Sequence, residues 1–352
     1  MTSTSEILFE RRGAAGLVTL NRPKALNAVT HNMVRALAQQ LDDWAKDDRI
    51  TRVVVTGAGG RAFSAGGDIR AIYDLGRVGC HDDALTYWRD EYVLNAAIRH
   101  YPKPYISLID GIVMGGGAGV SVHGSHRIAG DNFLFAMPET SIGFFPDIGA
   151  TWFLSHMPGE TGTYCALTGA RLDASDGVTL GIATHRVSSS RLGALLEALC
   201  GNTAVDATLA AYAEPAGEGP VAARQALINR TFAGPTIEDI LHALETEGAG
   251  NSDDAAFARE TVATLRANAP LSLRITLEQM RRGRHLGFDD CMRMEYRMVS
   301  RMVFEPDLYE GIRAAIIDKD RTPTWRRAPL CAITAPDVER YFAPLPQELP
   351  LP

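Results

Sequence analysis

Short apolar runs alternate with amphipathic stretches through the N-terminal half of the chain. Residues 16–20 (GLVTL) and 52–56 (RVVVT) are apolar and β-branched, which predicts strands. Between them Val34, Leu37, Leu41 and Trp44 recur three and four apart, so a helix is expected after the turn NRPKALNA, with Thr30 as its N-cap. The loop GAGGRAFSAGGD follows the second strand, a polar helical stretch covers 83–100, and Lys103-Pro104 breaks it ahead of a third strand at 105–109 (YISLI). Three glycines, Gly115, Gly116 and Gly117, then open another helix. The order is an α/β pattern with glycine loops at strand ends, where ligands are commonly held.

From about residue 192 strand signals fade and helical patterns take over, interrupted at 214–220 and by the acidic, small-residue segment 248–256. The tail PLPQELPLP (344–352) is expected to be extended or loosely ordered. With 352 residues, 46% hydrophobic and 22% charged, the chain has the composition of a globular protein with a sizeable core. A net charge of −7 argues against a nucleic-acid partner, since the one dense basic cluster, Arg281-Arg282-Gly283-Arg284, is short and reads as a solvated helix end. Five scattered cysteines without a CxxC pair indicate neither a disulfide framework nor a zinc site. No apolar run is long enough to span a bilayer, and the start, MTSTSEILFERRG, lacks an apolar signal core. Together these lead to the expectation of a cytoplasmic protein without a membrane or metal partner.

Chemistry concentrates between Met114 and Asp147. Glycines let a ligand approach the backbone, and a helix that starts there offers free N–H groups to negative charge. In AFSAGGD the Gly67 N–H is a candidate oxyanion donor, the alternative being a tight turn capped by Asp68. The three glycines at 115–117 have their own plain alternative, close packing of a helix on a sheet. Glu139, after Pro138, is either a catalytic carboxylate or an ordinary capping or salt-bridging one. Asp147, after Pro146, stands where an N-cap belongs, although capping and catalysis can share a residue. His123 and His126 read as structural, because Ser121 lacks the G-x-S-x-G elbow of a hydrolase triad; the G-x-G-x-x-G and Walker A patterns are absent too.

Six separated motifs carry a resemblance. NRPKALNA, AFSAGGDI, the IDGIVMGGGAG run from Ile109 and FAMPETSIGFFPDIG from Phe135 resemble the crotonase (enoyl-CoA hydratase/isomerase) superfamily in order and spacing. APLSLRITLEQMRRG from Ala269 and YEGIRAAIIDKDRTPTW from Tyr309 resemble its 3-hydroxyisobutyryl-CoA hydrolase branch. The resemblance implies an α/β fold, a spiral of repeated ββα units with a helical C-terminal region. It divides the chain into a catalytic core at 1–200 and a mainly helical region at 201–352 that completes the site. It also implies that the N–H groups of Gly67 and Gly116 hold a thioester oxygen, and that Glu139 and Asp147 act beside them. Lys24, Ala25, Leu26, Ala65, Asp68, Gly115 and Lys319 are implied as contacts to acyl group or coenzyme A, with Lys24 and Lys319 near phosphate; a solvated lysine is the plainer reading of both.

The carboxylates decide the branch. Hydratases of the superfamily resemble the chain at Glu139 but carry a second glutamate at the position of Gly119, and dienoyl-CoA isomerases carry an acidic residue there as well. A glutamate and an aspartate with Gly119 empty is the pattern of the hydrolases. Thioester hydrolysis is therefore expected, with Glu139 as nucleophile or general base and Asp147 on the substrate's 3-hydroxyl or assisting proton transfer. The rivals are a hydratase or isomerase reaction and a non-catalytic acyl-CoA binding protein. Coenzyme A enters as part of the substrate, no further cofactor is implied, and superfamily members often form trimers or hexamers.

Overall fold

In the computed structural model, which describes residues 5–326 and 329–351, the predicted strands form where the apolar runs lie. Nine strands are present among the described residues: β1 (Ile7–Arg12), β2 (Ala15–Leu20), β3 (Arg52–Gly57), β4 (Ala62–Ser64), β5 (Tyr105–Ile109), β6 (Ile112–Met114), β7 (His126–Ala129), β8 (Leu134–Ala136) and β9 (His185–Arg186). They divide into a six-stranded sheet of order β1-β2-β3-β5-β7-β9 and a three-stranded sheet of order β4-β6-β8. From β3 to β8 each ββα turn thus lays its first strand in the six-stranded sheet and its second in the three-stranded one, the repeated spiral that the resemblance implies. β1 and β2 pair antiparallel; β2, β3, β5, β7 and β9 run parallel, as strands joined by long crossovers must.

The chain folds into two compact units, each built from three stretches of sequence. One takes the chain through Asp68, Asp90–Phe135 and Arg171–Gly219; the other takes Ile69–Arg89, Ala136–Ala170 and the chain from Pro220 on.

The first unit holds the six-stranded sheet. Register aligns Leu17 with Val54 and Val54 with Ile106, so one row of apolar side chains crosses three strands. Against it pack Leu195 and Leu199, and Val205 and Leu209 of the helix Val205–Tyr212. The helix His31–Lys46 starts as expected, with Thr30 Oγ1 accepting the N–H of Met33 and with Val34, Leu37, Leu41 and Trp44 buried.

The second unit is helical in most of its length. The acidic segment at 248–256 turns out to contain a helix start: Ser252 accepts the N–H of Ala255, and Asp253 and Asp254 occupy the first turn. The Arg281–Arg284 cluster is not a solvated helix end. Arg281 and Arg284 both grip the buried carboxylate of Glu160, and Arg281 also donates to the carbonyls of Phe232 and Gly234. Among its described residues, 344–351, the proline-rich tail has neither helix nor strand, but it is fastened. Arg297 pairs with Glu348 at 2.9 Å, Arg301 donates to the Pro344 carbonyl, and Leu349 is buried.

Candidate active site

In the first unit the motifs NRPKALNA and AFSAGGD meet. Asn27, fully buried, organises the former: its Oδ1 accepts the N–H of Arg22, and its Nδ2 donates to the carbonyls of Ala58 and Ala62. Leu26 and Asn27 take positive φ values of 50° and 56°, a conformation asparagine tolerates better than most residues. The loops are then laced together. Ala65 N donates to Leu26 O, Val29 N to Gly66 O and Asp68 N to Val29 O, all within 2.8–2.9 Å. Arg22 closes the junction by pairing with both Glu6 and Asp68 at 3.1 Å, so Asp68 has an ion-pair role that the sequence did not suggest.

This lacing skips the amide of Gly67. Among the described residues neither Gly67 N nor Gly116 N donates a hydrogen bond, and the two residues converge: a β-carbon placed on Gly116 would lie 3.0 Å from Gly67 N. Gly115 makes the approach possible, with φ 43° and ψ −128°, outside the reach of residues with side chains. The single helical turn Gly116–Gly119 follows and is buried throughout. Two unengaged backbone donors at one place form an arrangement suited to an oxygen that becomes anionic. Gly119 contributes no carboxylate to it.

A residue missed by sequence reasoning stands beside these donors. The same β-carbon on Gly116 would come within 2.6 Å of Glu91 Oε1, and Glu91 is buried. Its helix, His81–Arg99, reads as polar, and Glu91 is one carboxylate among several there. The available signal was its spacing, four residues before the fully buried Asn95 and three after the buried Trp88.

The carboxylates Glu139 and Asp147 belong to the second unit and are 7% and 6% exposed. Glu139 begins the 3₁₀ turn Glu139–Ile142, which is tied down by Asn268: Asn268 Nδ2 donates to Thr140 Oγ1 and to Leu167 O. Glu139 Oε2 has no hydrogen-bond partner. Burial pushes the Glu139 carboxyl well above the ordinary carboxylate range, and the charges of Asp147 and Glu295 push it the same way.

Asp147 is not an N-cap. The helix begins at Ala150, Gly149 holds the cap position, and the N–H groups of Gly149 and Thr151 are accepted by Glu295, at 2.7 and 2.8 Å. A side chain from the helix Phe288–Met302 therefore does the capping that the sequence assigned to Asp147. Burial raises the Glu295 carboxyl to about 8, although the hydrogen bonds from Thr151 and Gly149 act in the opposite sense. The capping alternative for Asp147 is removed, and a second missed residue, Glu295, is added.

The remaining expected contacts divide between the units. Lys24 and Ala25 are exposed in the 3₁₀ turn Pro23–Ala25, and Leu26, Ala65 and Gly115 lie in the laced loops of the first unit. Lys319 is exposed in the second unit, at φ 59°. Neither lysine makes an ion pair among the described residues. His126 is held by Ser125 and Asp206, as a structural histidine would be. Among the described residues no cluster of three His, Cys, Asp or Glu could hold a metal ion, and no helix is long and apolar enough to cross a membrane.

Comparison with known proteins adds identity to geometry. The family described as enoyl-CoA hydratase/isomerase matches residues 15–342. Curated relatives include the mitochondrial 3-hydroxyisobutyryl-CoA hydrolases of Danio rerio, 41% identical over 97% of this chain and 90% of that protein, and of Rattus norvegicus, 42% identical over 98% and 90%. Among solved structures, a carnitinyl-CoA dehydratase from Mycobacterium thermoresistibile superimposes with a TM-score of 0.93 at 41% identity, covering 99% of both chains. An enoyl-CoA hydratase from Rhodobacter sphaeroides does so at 0.91 and 39%, covering 99% of this chain and 100% of that one. The cytoplasmic expectation is overturned, because these hydrolases are named mitochondrial. Cysteines without disulfides carry no information on which compartment holds the protein.

Proposed function

The chain belongs to the enoyl-CoA hydratase/isomerase family, and from that premise we propose that it hydrolyses a short 3-hydroxyacyl-CoA thioester, 3-hydroxyisobutyryl-CoA, to 3-hydroxyisobutyrate and coenzyme A. The observation that carries the reading is the buried pair Glu139 and Asp147 with only a glycine at 119. Full-length likeness to hydrolases of that name supports it. Such a reaction belongs to valine breakdown.

In this reading the amides of Gly67 and Gly116 are the oxyanion hole. As the thioester carbon turns tetrahedral its oxygen gains charge, and fixed donors stabilise that state more than the ground state, each by about 3 kcal/mol. Glu139 is the reactive carboxylate, as nucleophile or as general base. As nucleophile it forms a mixed anhydride, the thiolate leaves and takes up a proton, and water then cleaves the anhydride and restores the carboxylate. As general base it takes a proton from the attacking water instead. Either way one water is consumed and a carboxylic acid and a thiol result. Single turnover in ¹⁸O-water tests the first route: label in the Glu139 carboxylate requires an anhydride that water opens at the Glu139 carbonyl carbon, and the general-base route never puts it there.

Asp147 binds the substrate's 3-hydroxyl or assists proton transfer, and an acyl group lacking that hydroxyl forgoes the contact. Lys24 and Lys319 serve the phosphates, and Ala25, Leu26, Ala65 and Gly115 line the path of the substrate. Glu91, against Gly116, limits how an acyl group can enter there.

The solved relatives named as a dehydratase and a hydratase favour a second reading, addition or removal of water across a double bond. A thiol-trapping assay with 3-hydroxyisobutyryl-CoA and with crotonyl-CoA decides. Release of coenzyme A from the first alone is the expected result; loss of the enoyl absorbance without thiol release would reverse the assignment.

A further inference from the structure

The segment that carries Asp147 is backbone under strain. Ile148, a β-branched residue, has φ 55°, and Gly149 follows at φ 87°. Left-handed residues in succession persist only where the surroundings over-determine them, so something must hold residues 146–151 in place. The structure shows two side chains doing so, from two helices of the same unit, both fully buried. Glu295 accepts the N–H groups of Gly149 and Thr151 with its two oxygens. Gln279, on the helix Pro270–Gly283, donates from Nε2 to Pro146 O at 2.6 Å and to Thr151 Oγ1 at 2.7 Å.

The anchors bracket Asp147. One is the carbonyl immediately before it; the others begin two residues after it. The helix that bears Gln279 also closes on the segment at Gly283, where a β-carbon would meet Thr151 O at 2.6 Å. The Asp147 carbonyl accepts the N–H of Ala150. Its side chain is thereby relieved of capping. Where the Asp147 carboxylate is aimed then depends on the groups that keep this backbone fixed, Glu295 among them.

We propose that Glu295 is a positioning residue for Asp147: by holding the amides of Gly149 and Thr151, with Gln279 on the flanking carbonyl, it sets the direction of the Asp147 carboxyl and so the enzyme's selectivity for a 3-hydroxylated acyl group. The inference rests on the assignment of Asp147 to that hydroxyl. A buried glutamate kept only for stability would leave selectivity untouched when replaced.

The test is the ratio of kcat/KM for 3-hydroxyisobutyryl-CoA to that for isobutyryl-CoA, measured on the full chain for wild type, Asp147→Asn, Glu295→Gln and Gln279→Met. Glu295→Gln keeps the shape but replaces one acceptor by a donor that faces an N–H. It is expected to lower the ratio by about tenfold or more, the size typical of lost outer supports, and to lower it little further in combination with Asp147→Asn. A folded Glu295→Gln enzyme with the wild-type ratio overturns the proposal. Should that variant not fold, Gln279→Met reads the same ratio from the other anchor, and an unchanged ratio there overturns it equally. An unchanged ratio in Asp147→Asn would instead overturn the assignment of Asp147, and the positioning role with it.

Discussion

Glu91 Oε1 lies 2.6 Å from the point where a β-carbon of Gly116 would stand, so even a methyl group at 116 requires the buried Glu91 carboxyl to move. That carbon would also lie 3.0 Å from Gly67 N, crowding one of the two proposed donors. Gly116→Ala is expected to lower kcat/KM by at least about a hundredfold, the scale of losing one oxyanion donor. Retention of activity within tenfold, in steady-state assays of the folded variant, would remove Gly116 from the machinery.

Glu139 is costly to the fold. Its carboxyl is raised above the unfolded value, so the folded state holds a proton more tightly than the unfolded one; stability is greatest below the unfolded pKa and declines as pH rises through the folded pKa. Glu139→Gln, which cannot ionise, should melt higher than wild type, by a margin wider at pH 8 than at pH 5, and should be nearly inactive. Calorimetry at the two pH values checks the sign.

The same shift governs activity. A nucleophile or base works ionised, so kcat/KM should fall on the acid side at a pH well above the usual carboxylate range. A profile that stays flat down to pH 5 would mean that Glu139 is not the group whose ionisation starts the reaction.

Lys24 is exposed on its turn, and the proposed reading sets it against phosphate. Lys24→Ala should raise KM a few-fold for the coenzyme A thioester, less so at high salt, and leave KM unchanged for the pantetheine thioester, which lacks the nucleotide. An equal effect on both substrates would place the lysine elsewhere.

Asn27 predicts a stability effect with little chemistry in it. Alanine there would orphan the Arg22 amide and the Ala58 and Ala62 carbonyls, and would put a residue ill-suited to φ 56° in the loop. A loss of about 2–4 kcal/mol is expected, read from the urea midpoint.

Local signals in the sequence were read correctly where the cause is local. YISLI is β5 from end to end, and Thr30 caps its helix, because apolar runs and a hydroxyl before an amphipathic stretch act over a few residues. The glycine loops were legible for the same reason. Glu295 and Gln279 were not: each acts on a turn more than a hundred residues away, and within its helix each is one polar residue on an apolar face. The reading of Asp147 as an N-cap failed on this point, since the carboxylate that caps is brought by tertiary folding. Periodicity tells which face is buried; it carries no word of what lies across it. Arg281 and Arg284 make the same case, taken for a solvated end because Glu160, their partner, is remote in sequence.

Neither compact unit is continuous in sequence, for each takes three separate stretches of chain. No single crossover between two homologous genes can therefore transplant one unit whole, and no single protease cut can release one intact. Laboratory recombination of relatives should succeed when its breakpoints fall in sets that exchange all the segments of a unit at once.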